Sequence, residues 1–393
     1  MKISVIIPTK DLPSSVSKVL RGVQEQSLTP DEVVIIDSST NDKIKELITQ
    51  FKNKLNIVYF HSKKNLYPGE ARNKGIEISK NEIIAFVDSK TIPNKEWLSN
   101  GYRKIKYGGV DIVFGSTSYK AKTEMQKIFQ ASIYGKKPVL TTPGSILKRS
   151  TMSKLGNFIE GVRASEDQEW KNRIYDSGLT TEFSKQPNLE YYSISKTMYN
   201  ELKRNFVYQL HTAKTDAQTN SKIFIFGIFI TLLTLLAPSW NLLIGWKISY
   251  FYIPNITKIY LSILMTVSFI LLIFYQKKIK KIMLRFMVVT SAIASFYIVY
   301  RWNGQISKSI DFIIYFPHIT KIYILLIFTL GFAYRGLISP IKKGVHLKDL
   351  FPFWWLKIGF ICLLVDLIKL PGYIIGAIMV LYRMLKKGLK PNI

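Results

Sequence analysis

A sharp change in composition near residue 222 most constrains what this chain can fold into. Residues 222–393 contain 21 of the 55 Lys and Arg residues but only 3 of the 26 Asp and Glu residues, which leaves 34 basic and 23 acidic residues in the first part. The later part also contains long apolar runs. This division predicts a soluble domain followed by a membrane region whose basic residues are attracted to anionic lipids.

The apolar part predicts four membrane-spanning helices, near residues 223–246, 259–275, 284–300 and 312–333. Two basic segments, QKKIKKIMLR and RGLISPIKKGVHLK, predict cytosolic loops. We therefore expect a multi-pass membrane region over residues 222–345 and a cytosolic N-terminal domain. Residues 346–393 are interrupted by polar residues and by Pro371. This pattern favours a re-entrant or interfacial helical hairpin with a basic tail over a fifth span.

Residues 1–115 alternate between short apolar runs and helical patterns. The runs ISVIIP, EVVIID, NIVYF, EIIAFVD and VDIVFGS predict strands. Near-continuous apolar strands separated by helices indicate an α/β fold with a mostly parallel sheet covered on both faces. Ligands bind such sheets beyond the carboxyl ends of the strands. We therefore expect Pro8–Asp11, Asp37–Asp42 and Asp88–Lys90 to face one crevice.

Two further helices are predicted before the apolar region. The segment SEDQEWKNRIYDSG reads as a helix, with Ser165 as its N-cap and Gly178 at its end. Residues 199–221 predict a basic amphipathic helix or linker, with Leu202, Phe206 and Leu210 on one face. That pattern is typical of a helix lying on a membrane surface and equally of a surface helix of the globular domain.

The charge distribution and the cysteine content argue against two classes of function. A net charge of +29 is common in nucleic-acid-binding proteins, but here the basic residues lie between long apolar runs, which argues against a nucleic-acid partner. The only cysteine, Cys362, lies in an apolar segment. An intrachain disulfide is therefore excluded, and a catalytic thiol is not expected.

Four segments, in order, resemble the family-2 inverting glycosyltransferases of the nucleotide-diphosphosugar (type A) fold. They are VIIPTKDL, EVVIIDSSTND, GEARNKGIEIS with IIAFVDSKTIPNKEWL, and LGNFIEGVRASEDQEWKNRIYDSG. The resemblance implies a Rossmann-like glycosyltransferase domain over about residues 1–198. It also implies a nucleotide-diphosphate sugar as the donor.

The resemblance assigns donor-side roles to strand-end residues. It places Pro8, Thr9 and Asp37 in the nucleotide pocket, and Arg72 near the base or the diphosphate. Asp88 would hold the ribose or share a metal ion. The structural alternatives are ordinary strand-end turns for the first three residues, a surface arginine for Arg72 and a helix cap for Asp88.

The acceptor side is assigned to the SEDQEW helix. By the resemblance, Asp167 is the general base that takes the proton from the acceptor hydroxyl, and Glu166 shapes the acceptor site. Two adjacent carboxylates at a helix start are otherwise a common capping feature. Trp170 either stacks on an acceptor sugar or packs in the core.

One departure from the family pattern bears on the cofactor. Lys90 occupies the position of the last Asp of the Asp-x-Asp motif, which in the family is the main protein ligand of a divalent cation. A Mg²⁺ or Mn²⁺ site on Asp88 is therefore in doubt. We hypothesise that the Lys90 ammonium neutralises the diphosphate instead, with an inactive domain as the alternative.

Three functions remain open from the sequence. The first is a membrane-bound glycosyltransferase that acts on a lipid-linked, glycan or other membrane-proximal acceptor. The second is a processive synthase, although the Gln-x-x-Arg-Trp motif of such enzymes is missing from the basic helix KRNFVYQLHTAKT. The third is an inactive glycosyltransferase-like membrane scaffold.

Overall fold

The computed structural model describes residues 1–184, 186–215, 252–253 and 319–387. Residues 1–215 and 332–387 belong to one compact unit, and residues 319–331 belong to a second. Three of the four predicted spans lie outside the described residues. The fourth, 312–333, coincides in part with a described helix, Ile319–Ala333.

A seven-stranded sheet forms the centre of the first unit. Its strands run in the order β10-β6-β9-β4-β1-β2-β3, and only β9 is antiparallel to its neighbours. The predicted mostly parallel sheet is thus confirmed. The strands are β1 (Ile3–Thr9), β2 (Glu32–Asp37), β3 (Ile57–His61), β4 (Ile83–Phe86), β6 (Ile112–Phe114), β9 (Ile146–Lys148) and β10 (Thr181–Phe183).

A second, four-stranded sheet has the order β5-β11-β7-β8. Its strands are β5 (Thr91–Pro93), β7 (Ser116–Tyr119), β8 (Val139–Leu140) and β11 (Leu189–Tyr191). They are short and carry many hydroxyl groups, so their apolar pattern is weak, and the sequence did not predict this sheet. Since β5 directly follows Asp88–Lys90, the small sheet holds one side of that loop.

Helices cover both faces of the large sheet, as predicted. The cluster on one face contains Val16, Leu20 and Leu98, and the cluster on the other contains Phe86, Phe114 and Trp170. The helices of this region are α1 (Pro13–Gln24), α2 (Lys43–Ile48), α3 (Pro68–Ile78), α4 (Trp97–Tyr107), α5 (Glu124–Phe129), α6 (Thr151–Leu155), α7 (Glu166–Asp176) and α8 (Met198–Thr212). Short 3-10 and π segments, Thr49–Phe51 and Gln130–Tyr134, extend α2 and α5.

The C-terminal segment is one long helix where the sequence predicted a helical hairpin. After α9 (Ile319–Ala333), the π segment Tyr334–Ile338, α10 (Ser339–Lys342) and the 3-10 turn Leu347–Asp349, helix α11 runs over Trp354–Lys387 and contains Pro371. The charged residues that interrupt its apolar sequence form ion pairs. Asp366 pairs with Arg335 and, at 3.6 Å, with Lys369. The hairpin prediction is therefore wrong for this segment.

Within the described residues, one helix is long and apolar enough to cross a membrane, Trp354–Val380 within α11. Helix α8 packs against it. A Cβ added at Gly372 would lie 2.7 Å from the Phe206 carbonyl oxygen, and one at Gly376 would lie 2.4 Å from that of Leu210. The face of α8 that we assigned to a membrane surface or to solvent is therefore covered by α11, because two glycines let the backbones approach closely.

Candidate active site

A cavity of about 760 Å³ lies at the carboxyl ends of β1 and β4. Register places Thr9 opposite Asp37 and Ile6 opposite Phe86, so the loops after these parallel strands meet at one edge. Helices α7, α8 and α11 complete the walls. The residues that the sequence predicted and that line this cavity are Pro8, Thr9, Arg72, Asp88, Lys90, Glu166 and Asp167.

Arg72 joins two carboxylates that are distant in the sequence. Its guanidinium Nη2 donates to Asp88 Oδ1 at 2.9 Å, and its Nη1 donates to Glu166 Oε1 at 3.0 Å. Burial alone would lower the pKa of Arg72, but Asp88 and Glu166 raise it above its usual value. The guanidinium also lies over the Phe158 ring, 5.5 Å from its centroid. Arg72 therefore fixes the loop after β4 relative to the start of α7.

The two adjacent carboxylates of α7 have different surroundings. Glu166 is buried, and its oxygen is engaged by Arg72. Asp167 is half-buried, and its Oδ1 accepts the backbone N–H of Gln168 at 2.8 Å. Both line the cavity. Because Glu166 is held by Arg72, Asp167 is the carboxylate more available to a ligand.

Burial holds both carboxylates closer to protonation than usual. Desolvation, followed by the charge of Asp167, raises the pKa of Glu166 to about 7, although Arg72 opposes the change. Desolvation also raises the pKa of Asp167. A carboxylate with a raised pKa is a stronger proton acceptor, which suits a general base.

Helix α7 begins where the sequence predicted, with Ser165 at the N-cap position. Ser165 has a φ of 72°, and its side chain makes no capping hydrogen bond. Its hydroxyl instead pairs with the Thr212 hydroxyl of α8 at 2.6 Å. Ser165 therefore connects α7 to α8 and does not cap α7 with its side chain. Gly178 ends the helix with φ of 67°, as predicted.

Cationic side chains also line the cavity. Lys90 is exposed at the mouth, where desolvation by the surrounding walls, followed by repulsion from Arg163 and Arg204, lowers its pKa. In the part of the chain that the structure describes, Lys90 and Arg163 have no ion-pair partner. Arg204 pairs with Glu201, and Lys369 extends from α11 to the cavity wall. This arrangement favours an anionic ligand.

Asp37 does not line the cavity, contrary to the prediction. It is fully buried, and its carboxylate accepts hydrogen bonds from the Ser39 N–H at 2.9 Å and from the Tyr59 hydroxyl at 2.8 Å. The Ser39 hydroxyl in turn accepts the Asp11 N–H at 2.7 Å. Asp37 therefore holds the loops after β1 and β2 in place from the protein interior. Thr9 does reach the cavity, and its buried hydroxyl has no hydrogen-bond partner among the described residues.

Trp170 lies in the core, so its assignment as an acceptor-binding residue is wrong. Its side chain is 0% exposed. The indole contacts Phe158, Phe86 and Phe114, with ring centroids 4.8, 6.0 and 6.0 Å away. It lies one turn after Glu166 and faces the sheet, because side chains three and four positions apart share one side of a helix.

The comparisons with known proteins agree with this geometry. Residues 4–178 match the family model described as Glycosyl transferase family 2. That stretch, less than half of the chain, is similar to family 2 glycosyltransferase domains.

Two curated relatives each match less than half of this chain. Glycosyltransferase AglE of Haloferax volcanii is 29% identical over 199 residues, which cover 46% of this chain and 64% of AglE. Poly(ribitol-phosphate) beta-N-acetylglucosaminyltransferase TarS of Staphylococcus aureus is 25% identical over 186 residues, 44% of this chain and 32% of TarS. The chain thus spans less than two thirds of either relative. The structure of S. aureus TarS 1-349 with UDP-GlcNAc is 20% identical, covers 61% of this chain and 72% of that chain, and has a TM-score of 0.41.

The side chains of this cavity supply few ligands for the divalent cation that the family resemblance implies. Mg²⁺ in such sites is held by one or two carboxylates together with substrate phosphates. Across residues 1–184, 186–215, 252–253 and 319–387, no group of three or more His, Cys, Asp or Glu side chains could hold a metal ion. Asp88 is engaged by Arg72 at 2.9 Å, and Lys90 adds a positive charge where a ligand would be needed.

Sequence reasoning missed the contribution of α8 and α11 to the glycosyltransferase cavity. Arg204, Tyr208 and Thr212 line it from α8, and Lys369 lines it from α11. The first three follow at four-residue spacing, so their shared face was visible in the sequence. The apolar face of the same helix, with Leu202, Phe206 and Leu210, gives the stronger sequence signal.

Proposed function

We propose that this protein is a membrane-bound inverting glycosyltransferase. It takes a sugar from a cytosolic nucleotide-diphosphate sugar and adds it to a lipid-linked or membrane-proximal acceptor. The observation that carries the proposal is Asp167, a half-buried carboxylate with a raised pKa that lines a cavity beside Arg72 and Asp88. This cavity lies within the region that matches family 2 glycosyltransferases, apart from Tyr191 and the walls that α8 and α11 provide.

The reaction follows as a single displacement. Asp167 accepts the proton from the acceptor hydroxyl while that oxygen attacks the anomeric carbon. The bond from that carbon to the diphosphate breaks, and the nucleoside diphosphate leaves with the electron pair. Glu166 and Arg72 hold the base in place, since their bond fixes the start of α7 relative to the loop after β4. No protein nucleophile is needed.

The leaving diphosphate is stabilised by side-chain cations in this proposal. The cavity is lined by Lys90, Arg163 and Arg204. The two arginines lie close enough to Lys90 to lower its pKa. One unit-charge pair about 4 Å apart is worth roughly 4 kcal/mol at an effective dielectric constant of 20. Three cations can therefore supply the charge compensation that a metal ion gives in other enzymes.

Membrane attachment is supported by the apolar surface of α11. Phe360, Leu367 and Ile378 are more than half exposed, although large apolar side chains on soluble proteins are usually covered. The low acid content of residues 222–393 agrees with this assignment. Lys369 of the same helix lines the cavity, so a membrane-inserted α11 would bring the site close to lipid-linked acceptors.

The test is transfer by the full chain in detergent. Labelled UDP-GlcNAc and GDP-mannose would be offered with a native membrane extract as the acceptor source. The Asp167→Asn variant should lose about 10²- to 10⁴-fold in transfer rate while it keeps its donor affinity. Asp176→Asn is the matched control, because Asp176 lies exposed at the other end of the same helix. Equal activity of the Asp167 variant and wild type would refute the assigned base.

A scaffold without activity is the second candidate, and the lysine at position 90 is the observation that favours it. Failure of the wild type to bind any nucleotide sugar, with or without Mn²⁺, would support the scaffold over the enzyme.

A further inference from the structure

A second cavity, of about 350 Å³, lies beside the first and has a different chemical character. Residues 89–91 line both cavities, so the two share one wall. Four lysines line the smaller cavity, and no aspartate or glutamate does. The lysines are Lys18, Lys90, Lys122 and Lys196.

These lysines come from separate parts of the domain. Lys18 belongs to α1, Lys90 to the loop before β5, Lys122 to the loop before α5 and Lys196 to the loop before α8. All four lysines are exposed at the cavity, and positive charge gathered in a concave site attracts anions.

The lysines are not neutralised within the described parts of the chain. No ion-pair or hydrogen-bond partner there contacts the side-chain ammonium of Lys18, Lys90 or Lys196. The Lys122 ammonium lies over the Tyr192 ring, 5.6 Å from its centroid. Hydroxyl groups complete the lining, from Ser15, Ser89, Thr91, Thr123, Tyr192 and Ser193. Ammonium and hydroxyl donors without competing carboxylates suit a phosphate group.

We infer that this cavity binds a phosphate group of the acceptor, next to the hydroxyl that receives the sugar. The inference rests on the proposed function. The donor diphosphate already has Arg163 and Arg204 in the larger cavity, together with the unpartnered Thr9 hydroxyl. The smaller cavity is not lined by the proposed base, Asp167, or by Arg163, Arg204 and Thr9. Since Lys90 lines both cavities, an acceptor phosphate there lies beside the donor, and the acceptor is a phosphate-bearing lipid or polymer.

The test measures binding by the full chain in an uncharged detergent, by calorimetry. The probes are a short glycerol phosphate oligomer, micellar phosphatidic acid, inorganic phosphate and the nucleotide sugar that the wild type binds. The variant is Lys18→Gln/Lys196→Gln, since these two residues line only the smaller cavity. Lys45→Gln/Lys52→Gln makes the same charge change at two exposed sites away from both cavities.

We expect the Lys18/Lys196 variant to lose about tenfold in affinity for the oligomer or for phosphatidic acid. Its donor affinity should stay within about twofold. The Lys45/Lys52 control should bind both probes as the wild type does, and Lys18→Arg/Lys196→Arg should restore phosphate binding. Whichever of the oligomer and phosphatidic acid binds identifies a polymer or a lipid as the source of the phosphate.

Several outcomes would overturn the inference. An equal loss of phosphate affinity in the Lys45/Lys52 control would show that net positive charge alone attracts the probes. Equal loss of donor affinity would assign the cavity to the donor diphosphate, and binding of inorganic phosphate alone would leave only a nonspecific anion. A wild type that binds the donor but neither phosphate probe refutes this inference and leaves the proposed function intact. A wild type that binds no nucleotide sugar refutes both.

Discussion

Replacing Arg72 with methionine should destabilise the glycosyltransferase domain strongly. The Arg72 side chain is 2% exposed, and its partner Glu166 is 7% exposed. Removing one member of a buried ion pair costs about 3–5 kcal/mol, because the other charge stays buried without a partner. The second partner, Asp88, is 38% exposed and adds at most about 1 kcal/mol. Methionine preserves much of the packing against Phe158, so the lost charge dominates.

The loss should also depend on pH in a defined direction. Glu166 already has a pKa of about 7 with Arg72 present, and Arg72 lowers that pKa. In the variant it rises further above the unfolded value. The folded variant therefore binds a proton more tightly than the unfolded chain, and stability is lost as pH rises through the folded pKa. We expect a larger loss at about pH 8.5 than at about pH 6.

Thermal unfolding of the full chain in detergent, followed by tryptophan fluorescence, measures this effect. For a domain of this size the change should lower Tm by about 6–20 °C. Arg103→Met is the control, because Arg103 is exposed and bonds Asn100 on the same helix. It should change stability by less than about 0.5 kcal/mol. Equal Tm shifts for the two variants, or a loss independent of pH, would refute the reasoning.

Three further predictions follow from single contacts. Gly376→Ala should destabilise the α8–α11 packing by about 1–3 kcal/mol, since its Cβ would lie 2.4 Å from the Leu210 carbonyl oxygen. Gly331→Ala, with nothing within 4 Å of its Cβ, should leave Tm unchanged or raise it. Glu166→Gln should reduce the wild-type Tm decrease between about pH 5 and pH 7, because glutamine cannot hold the proton that the raised pKa of Glu166 retains in the folded state; an unchanged pH slope would contradict the assignment. Lys90→Met should weaken nucleotide-sugar binding about tenfold in calorimetry, and chelator should leave wild-type binding unchanged; binding that requires Mn²⁺ and ignores Lys90 would restore a metal site.

Local sequence pattern was sufficient for most of the central sheet and for the position of the site. Strands such as ISVIIP and EVVIID are apolar on both faces and are followed by polar residues. The residues of each strand therefore indicate both that the strand is buried and where it ends. Parallel strands then bring their carboxyl ends together by geometry alone. That is why Thr9 and Asp88 were expected at one cavity and do line it, whereas Arg72 and Asp167, which also line it, were expected there from the family resemblance.

Only the tertiary structure decided which neighbour each side chain meets. Arg72 and Glu166 are 94 positions apart, and no periodic pattern relates them. Trp170 and Asp167 lie on the same helix, but the sheet buries one while the cavity receives the other. The polar face of α8 and Lys369 of α11 became part of the site because two glycines allow these helices to pack closely. Sequence pattern specifies which residues are buried in each element, whereas the partner of a buried or charged group depends on how the elements pack.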